Sequence, residues 1–300
     1  MKILVTGSLG QLGNELRRLL SGGVSEIGSI PTEYKGCDAD YIDIDELDIT
    51  NESSVKMWFS EHKYDIIFNC AAYTNVDACE KNEQVAEAVN ATGPENLAKA
   101  AEESGAVLVH VSTDYVFAGD KPGDRVESDD VSPVSAYGRT KLHGELAVAN
   151  NCKKHHIVRT AWLYGYVGKN FVKTMLNLAK SRDEVTVVDD QYGNPTSAND
   201  LAYAMLKIAL SDSYGIWHAT NCGTCSWADF TAEIFSLADV GCKVKRSTSD
   251  EYLQRNPASA KRPHFSSLRN AHMESTFGDV MRPWKEAIAS YISNLEVLGN

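Results

Sequence analysis

Short apolar runs alternate with amphipathic stretches along the first half of the chain. Short apolar or alternating runs predict strands, and apolar residues spaced three or four positions apart predict helices. The predicted strands cover 2–5, 40–44, 65–71, 106–111, 157–160 and 214–220. The predicted helices cover 14–20, 52–62, 84–103, 135–149 and 201–210. The third of these contains Gly93-Pro94, which predicts a kink.

Most of these strands are apolar throughout, which is typical of parallel strands buried on both faces. We therefore predict an α/β fold with a doubly wound parallel sheet and a ligand crevice at the carboxyl ends of its strands. The rhythm weakens after about residue 165. We expect a main domain of 1–161, to which parts of 198–220 return, and a smaller, discontinuous lobe of 162–197 and 221–300. Residues 22–38 look like an irregular surface insertion.

Composition narrows the class of protein. The formal net charge of -12 disfavours a nucleic-acid surface. No apolar run approaches the roughly 18 residues of a membrane span, and the N-terminus lacks the pattern of a secretory signal, so we expect a cytoplasmic protein without a membrane partner. The seven cysteines are scattered, and Cys222-Gly-Thr-Cys225 has no second pair to complete a zinc site.

Three glycines with two residues between neighbours follow the first predicted strand and lead into a helix. Gly7 allows a tight turn, Gly10 lets a pyrophosphate approach the backbone, and Gly13 lets the helix pack closely on the strand. The unpaired N–H groups at the start of the helix then face the anion. This arrangement predicts a dinucleotide site.

An acidic side chain is expected at the end of the second predicted strand. Asp43 lies 30 residues after Gly13, and the 22–38 segment explains the long spacing. A carboxylate there accepts from ribose hydroxyls and repels a 2′-phosphate, which favours NADH. Arg17 and Arg18 could instead reach such a phosphate, so NADH and NADPH both stay open.

Tyr137 and Lys141 are four residues apart and share one face of a predicted helix. A phenol has a pKa near ~10, and a neighbouring ammonium lowers it; reaching about 7 takes roughly 4 kcal/mol. Thr113, at the end of the 106–111 strand, can hydrogen-bond a substrate oxygen. The three side chains predict proton transfer to a carbonyl oxygen beside the dinucleotide. Tyr203 and Lys207 have the same spacing but sit on an ordinary amphipathic helix.

Motifs along nearly the whole chain resemble those of the dTDP-4-dehydrorhamnose reductases, a family of extended short-chain dehydrogenases/reductases with a Rossmann sheet. They are 5–15 (VTGSLGQLGNE), 46–50 (ELDIT), 69–77 (NCAAYTNVD), 90–92 (NAT), 111–117 (VSTDYVF), 159–165 (RTAWLYG), 170–175 (NFVKTM), 190–196 (DQYGNPT) and 261–263 (KRP).

The resemblance implies a role for each matching residue. The main domain would hold NADPH or NADH, and the smaller lobe would bind the substrate. The implied catalytic residues are Thr113, Tyr137 and Lys141. The expected cofactor residues are Gly7, Gly10, Gln11, Leu12, Gly13, Asp43, Asp48, Ile49, Ala71, Ala72, Tyr73, Thr74, Tyr137 and Lys141. The expected substrate residues are Thr113, Asp114, Trp162, Asn170 and Arg262.

The reaction implied is reduction of the C4 keto group of dTDP-4-dehydro-L-rhamnose, a dTDP-4-keto-6-deoxysugar. Three alternatives stay open: another nucleotide-sugar 4-ketoreductase, an epimerase of the same family, and a non-catalytic NADP-binding regulatory subunit of the methionine adenosyltransferase type. A dehydratase is disfavoured because Tyr115 stands where dehydratases carry a glutamate. Glu15 matches a glutamate that binds a divalent ion at a dimer contact in some relatives. We predict no metal site, since the ligand set is incomplete, and a homodimer stays open.

Overall fold

Strands and helices alternate through most of the chain. The computed structural model describes residues 1–278 and 280–299. Its strands are β1 (Lys2–Thr6), β2 (Val24–Ser25), β3 (Gly28–Ser29), β4 (Asp38–Ile42), β5 (Ile66–Asn69), β6 (Val107–Thr113), β7 (His155–Thr160), β8 (Leu163–Tyr164), β9 (Glu184–Val188), β10 (Tyr192–Gly193), β11 (Thr196–Ser197), β12 (Gly215–His218), β13 (Cys225–Ser226) and β14 (Lys243–Ser247).

The helices pack around these strands. They are α1 (Gln11–Gly22), α2 (Glu52–Glu61), α3 (Val76–Lys81), α4 (Glu83–Glu87), α5 (Gly93–Ser104), α6 (Ala136–Asn151), α7 (Phe171–Ala179), α8 (Ala198–Ile208), α9 (Trp227–Leu237), α10 (Ser249–Arg255), α11 (Ala271–Phe277) and α12 (Trp284–Leu298). No helix within 1–278 or 280–299 is both long and apolar enough to cross a membrane.

The central sheet confirms the predicted doubly wound arrangement. Its six strands are parallel and lie in the order β12-β7-β6-β5-β1-β4. The chain leaves β1 toward β4 on one side and then returns to β5 on the other. The order therefore reverses between β1 and β5, and a crevice opens at such a point beyond the carboxyl ends of the strands. The strand predicted at 214–220 joins this sheet as β12, beside β7.

Both faces of the sheet are covered, as the apolar strands predicted. One face packs against α1 and α8 through residues such as Leu16 and Leu201, which are fully buried. The other face packs against α2, α5 and α6 through residues such as Val55, Leu97 and Val148. The sheet edge that carries the crevice is thus held between two apolar layers.

A second apolar core lies in the later part of the chain. It includes Tyr164, Val172, Phe230, Trp284 and Tyr291, and it packs between α7, α9, α12 and the parallel pair β9–β14. These residues belong to 162–197 and 221–300; the division into a main domain and a smaller lobe stays a prediction.

Two segments differ from simple predictions. The helix predicted over 84–103 forms as α4 and α5 joined by a π-helical turn at Ala88–Thr92, immediately before Gly93-Pro94. The prediction of a surface insertion at 22–38 is wrong in part. Tyr34 is buried and donates a hydrogen bond of 2.8 Å to the carbonyl of Leu206, so the segment packs on α8.

Candidate active site

The turn between β1 and α1 is built from tightly packed backbone. Gly7 has a φ of +63°, and a Cβ there would lie 2.6 Å from the backbone nitrogen of Ala71. A Cβ on Gly13 would lie 2.5 Å from the carbonyl oxygen of Gly7. Gly10 caps α1 without a side-chain hydrogen bond, so the first N–H groups of the helix face outward from the turn. These features fit a pyrophosphate group.

A cavity of about 420 Å³ extends from this turn along the ends of β1, β4 and β5. Its lining includes the predicted cofactor residues Gly7, Gly10, Asp43, Asp48, Ile49, Ala71, Ala72 and Tyr73. Asp43 directly follows β4 and accepts hydrogen bonds from the backbone N–H groups of Leu9, at 3.0 Å, and Ile44, at 2.9 Å. Its carboxylate is therefore fixed at the rim of the cavity.

A second cavity, of about 380 Å³, shares Gly7, Gly10, Cys70 and Ala72 with the first. The two cavities therefore adjoin at the glycine turn. The second cavity brings together the predicted residues Gln11, Leu12, Gly13, Thr74, Thr113, Asp114, Tyr137, Lys141 and Trp162. The structure thus joins the expected cofactor turn and the expected catalytic residues in one crevice.

Tyr137 stands in the first turn of α6, which begins after the N-cap Ser135. Its ring meets the ring of Tyr115 edge to face, with centroids 5.5 Å apart. Burial raises the pKa of Tyr137, the charge of Asp114 adds to the rise, and a hydrogen bond with Thr113 opposes it. Lys141 is not among the groups that shift this pKa. The lowering expected from Lys141 together with the nicotinamide charge stays a prediction.

Lys141 lies one turn further along α6, and its side chain is almost fully buried. Its Nζ donates a hydrogen bond of 2.6 Å to the carbonyl oxygen of Val111 on β6. Burial lowers the pKa of Lys141 to about 8, while the charges of Glu145 and Cys70 oppose that shift. The ammonium group therefore titrates close to neutral pH.

Thr113 ends β6, and Asp114 begins a single 3₁₀ turn. Thr113 Oγ1 donates to Asp114 Oδ1 at 2.9 Å and accepts from the N–H of Tyr115 at 3.2 Å. Burial raises the pKa of Asp114 to about 6, against hydrogen bonds with Ser266 and Thr113 that lower it. A buried carboxyl with this pKa responds to small changes in its surroundings.

Trp162 forms one wall of the second cavity. It has an unusual φ of +46° and stacks on Trp227, with ring centroids 3.5 Å apart and an interplanar angle of 7°. A Cβ on Gly193 would lie 2.6 Å from the Trp162 ring, so the indole fills the space that the glycine leaves. Two stacked indoles offer a flat apolar surface to a sugar or a base.

Two expected substrate residues lie elsewhere. Asn170 caps α7, accepting from the N–H of Lys173 at 3.0 Å and donating to the carbonyl of Gly165 at 2.8 Å and to Gln11 Oε1 at 3.1 Å. It is not among the cavity-lining residues, and its amide is occupied by these contacts. Arg262 lies 3.8 Å from Asp77. Burial raises the pKa of Tyr115, which lines the cavity, and the charge of Arg262 opposes that rise.

Several residues at this site carry only a weak signal in the sequence. Trp227 lines the cavity, yet its sequence surroundings signal only a helix start, through the capping box of Ser226 and Asp229. Asn90 binds both backbone groups of Tyr73 and appeared only within a motif. Glu145 follows Lys141 by four residues, a spacing that could have revealed it.

Glu15 does not present a free carboxylate. It pairs with Arg18 at 2.8 Å and accepts from Asn199 at 3.0 Å. Within 1–278 and 280–299 there is no group of three or more histidine, cysteine, aspartate or glutamate side chains arranged to hold a metal ion.

Known proteins resemble this chain along its full length. The family model described as the RmlD substrate binding domain matches residues 1–297. The dTDP-4-dehydrorhamnose reductase of Escherichia coli (strain K12) is 37% identical over 308 aligned positions, which cover 98% of each chain. These matches confirm the resemblance that the motifs indicated.

Solved structures agree with the sequence matches. A dTDP-4-dehydrorhamnose reductase from Clostridium acetobutylicum superposes with a TM-score of 0.92 at 47% identity, covering 99% of this chain and 100% of that one. A dTDP-4-dehydrorhamnose reductase from Bacillus anthracis, solved in complex with NADP, gives a TM-score of 0.89 at 38% identity, covering 98% and 99%. The chain therefore belongs to the dTDP-4-dehydrorhamnose reductase family of extended short-chain dehydrogenases/reductases.

Proposed function

We propose that the chain is an NAD(P)H-dependent reductase that converts the C4 keto group of dTDP-4-dehydro-L-rhamnose to the hydroxyl of dTDP-L-rhamnose. The observation that carries this proposal is that Thr113, Tyr137 and Lys141 line the same cavity as the glycine turn. Relatives with the same architecture carry the name of this activity, and one of them was solved with NADP.

The residues around the glycine turn fit a dinucleotide. The backbone N–H groups at the start of α1 would bind the pyrophosphate, and the cavity between Asp43 and Ile49 would take the adenosine half. Bound NAD(P)H supplies the hydride that the reduction requires. Ala72, Thr74 and Lys141 line the adjoining cavity, where the nicotinamide half would lie.

Each catalytic side chain has one task in the proposed reaction. Tyr137 donates its phenolic proton to the carbonyl oxygen as that oxygen gains negative charge. The raised pKa of Tyr137 keeps the phenol protonated at neutral pH, which is the form that a reduction needs. Thr113 binds the same oxygen, and the Lys141 ammonium stabilises the negative charge left on Tyr137. Bulk solvent then restores the proton.

The second cavity also supports a nucleotide-sugar substrate. Trp162 and Trp227 give it an apolar wall suited to a deoxysugar or a thymine ring, and Asp114 offers a hydrogen-bonding carboxyl next to Thr113. Arg262 would approach the substrate diphosphate from beside Tyr115. Asn170 would act indirectly, by fixing Gln11 at the junction of the two cavities.

The test is oxidation of NADH and of NADPH, followed by the loss of nicotinamide absorbance, with dTDP-4-dehydro-L-rhamnose as substrate. Rapid oxidation by the natural chain, with dTDP-L-rhamnose as the product, would support the proposal. Reduction of other dTDP-4-keto sugars in preference to this one would replace the substrate but keep the reaction. Tight coenzyme binding without any oxidation would favour the regulatory-subunit alternative.

A further inference from the structure

A buried ion pair lies next to the catalytic cavity without lining it. Arg159, near the end of β7, donates from Nε and Nη2 to the two carboxylate oxygens of Glu145 at 2.9 and 2.7 Å. Their side chains are only 2% and 3% exposed. A buried ion pair adds little to stability on average, because removing both charges from water is costly. A pair of this kind therefore points to a role other than general stability.

Ser112 links this ion pair to the cavity. Its Oγ donates a hydrogen bond of 2.5 Å to Glu145 Oε1, and it stands opposite Arg159 in the β6–β7 register. Ser112 lies between Val111, whose carbonyl holds the Lys141 ammonium, and Thr113. The Glu145 carboxylate thus fixes the end of β6. This strand end carries Thr113 and provides the carbonyl that binds Lys141.

We propose that Glu145 is a positioning residue for the reduction described above, acting through Ser112 on Thr113 and through α6 and β6 on Lys141. The inference rests on the proposed function, since it assigns Glu145 a role in that reaction. Glu145 and Lys141 are one helical turn apart on α6, so the carboxylate fixes both the helix and the strand that meet at the Lys141 ammonium.

The charges around Lys141 provide a measurable consequence. Glu145 from α6 and Cys70 beyond β5 both raise the pKa of Lys141, against the larger lowering by burial. His110 on β6 is buried, and burial together with the Lys141 charge lowers its pKa well below the usual value, so it faces Lys141 uncharged. Removing the Glu145 charge should therefore let the ammonium lose its proton at a lower pH.

The first test compares Glu145→Gln with Asp200→Asn across a pH series. Asp200 is a matched control, because it is also buried and accepts from Arg282 Nε and Nη2, at 2.8 and 3.0 Å, on the side of α8. Both variants remove a carboxylate from an arginine: Arg159 is buried, and Arg282 is partly buried and keeps Glu26. For Glu145→Gln we expect kcat to fall about tenfold. A tenfold change corresponds to the same free energy as a shift of one pKa unit. The alkaline limb of its kcat profile should move to lower pH.

Asp200→Asn should lose thermal stability without a change in kcat or in the position of that limb. If Glu145→Gln kept the kcat and the alkaline limb of the natural chain, the positioning role would be wrong. An equal loss of kcat and an equal shift of the limb in both variants would also overturn it, because a general loss of structure would then be the cause.

A second variant covers the case in which Glu145→Gln does not fold. Ser112→Ala removes the link to β6 but keeps the Glu145–Arg159 pair, so it should lower kcat while leaving the alkaline limb in place. Faster hydrogen exchange of the 107–113 amides is expected with it. An unchanged kcat and unchanged exchange would contradict the link.

The inference can also be judged if the natural chain fails to reduce the sugar. The pH dependence of NADPH binding, followed by its fluorescence, reports the charge of Lys141 without turnover. A lower-pH loss of affinity in Glu145→Gln, relative to the natural chain and to Asp200→Asn, would support the positioning role although the proposed reaction had failed. Identical binding profiles would overturn it.

Discussion

The carboxylate of Asp43 accepts a hydrogen bond of 3.0 Å from the backbone N–H of Leu9, which ties the end of β4 to the glycine turn. No lysine or arginine lines this cavity. Arg17 lies over the ring of Tyr41, 4.6 Å from its centroid, and Arg18 pairs with Glu15. Arg18 is therefore engaged elsewhere, whereas Arg17 also donates a hydrogen bond of 3.5 Å to Ser8 Oγ in the glycine turn.

We expect this arrangement to favour NADH over NADPH, because a 2′-phosphate would face the Asp43 carboxylate, and Arg17 does not line the cavity. Asp43→Asn should shift the ratio of kcat/KM for NADPH to that for NADH upward by about tenfold, or about 1.4 kcal/mol. The measurement is initial rates with each coenzyme at saturating sugar. A natural chain that prefers NADPH, or a ratio that Asp43→Asn leaves in place, would contradict this account.

Tyr137→Phe tests the proton donor. The variant keeps the ring that packs on Tyr115 but removes the phenolic proton, so kcat should fall by about 10²–10⁴-fold. Affinity for the coenzyme should stay within about twofold, since the glycine turn that would bind it is untouched. Tyr203→Phe is the control, because Tyr203 shares the four-residue spacing to a lysine, Lys207, but lies on α8, away from the crevice. Substantial turnover by Tyr137→Phe would exclude Tyr137 as the donor.

The crevice could be predicted from sequence where the signals are local. Three such signals each occupy a few consecutive residues, whose conformation follows from strand, turn and helix rules. They are the glycine turn, the end of β6 and the Tyr137–Lys141 pair. Their meeting also followed, because parallel strands end on the same side of the sheet. The same rules returned 214–220 to the main sheet, and the structure pairs it there with β7 as β12.

Contacts between residues that are distant in the sequence could not be predicted in this way. Trp227 stacks on Trp162 although a long stretch of sequence separates them, and Arg159 on β7 reaches Glu145 on α6. Asn170 looked like a substrate residue because its motif matched the family, while its side chain caps α7. The direction of the pKa shift of Tyr137 depends on burial, which neither spacing nor motif reports.

The buried carboxylate of Asp114 should lower the free energy of unfolding at neutral pH. Its pKa is raised to about 6 by burial, whereas an unfolded aspartate has a value near 3.9. The native state therefore binds more protons than the unfolded state between these values, and the contribution of Asp114 to stability falls as pH rises through this window. Above about pH 6 the buried charge costs its full amount, on the order of 1–3 kcal/mol.

Asp114→Asn should consequently raise the unfolding temperature at about pH 8, with the gain shrinking from about pH 6 downward and absent below about pH 4. The same substitution should raise KM for the nucleotide sugar if the carboxyl binds substrate. Thermal unfolding across this pH range is the measurement, and the exposed Asp183→Asn is its control. A gain in stability that is equal at all pH values would exclude titration of Asp114 as its source.

Gly193 controls the position of the indole wall. A Cβ at this residue would lie 2.6 Å from the Trp162 ring, which is already held between a left-handed backbone and the stacked ring of Trp227. Trp227 covers one face of the ring, so Gly193→Ala should displace the indole toward the cavity and raise KM for the nucleotide sugar about tenfold. The dissociation constant of the coenzyme should not change, because the glycine turn lies on the main sheet. Gly241→Ala is the control, since a Cβ there meets no atom within 4 Å. A rise in KM confined to Gly193→Ala would place the sugar or its base against Trp162, whereas an unchanged KM would assign the stacked indoles to core packing of the smaller lobe.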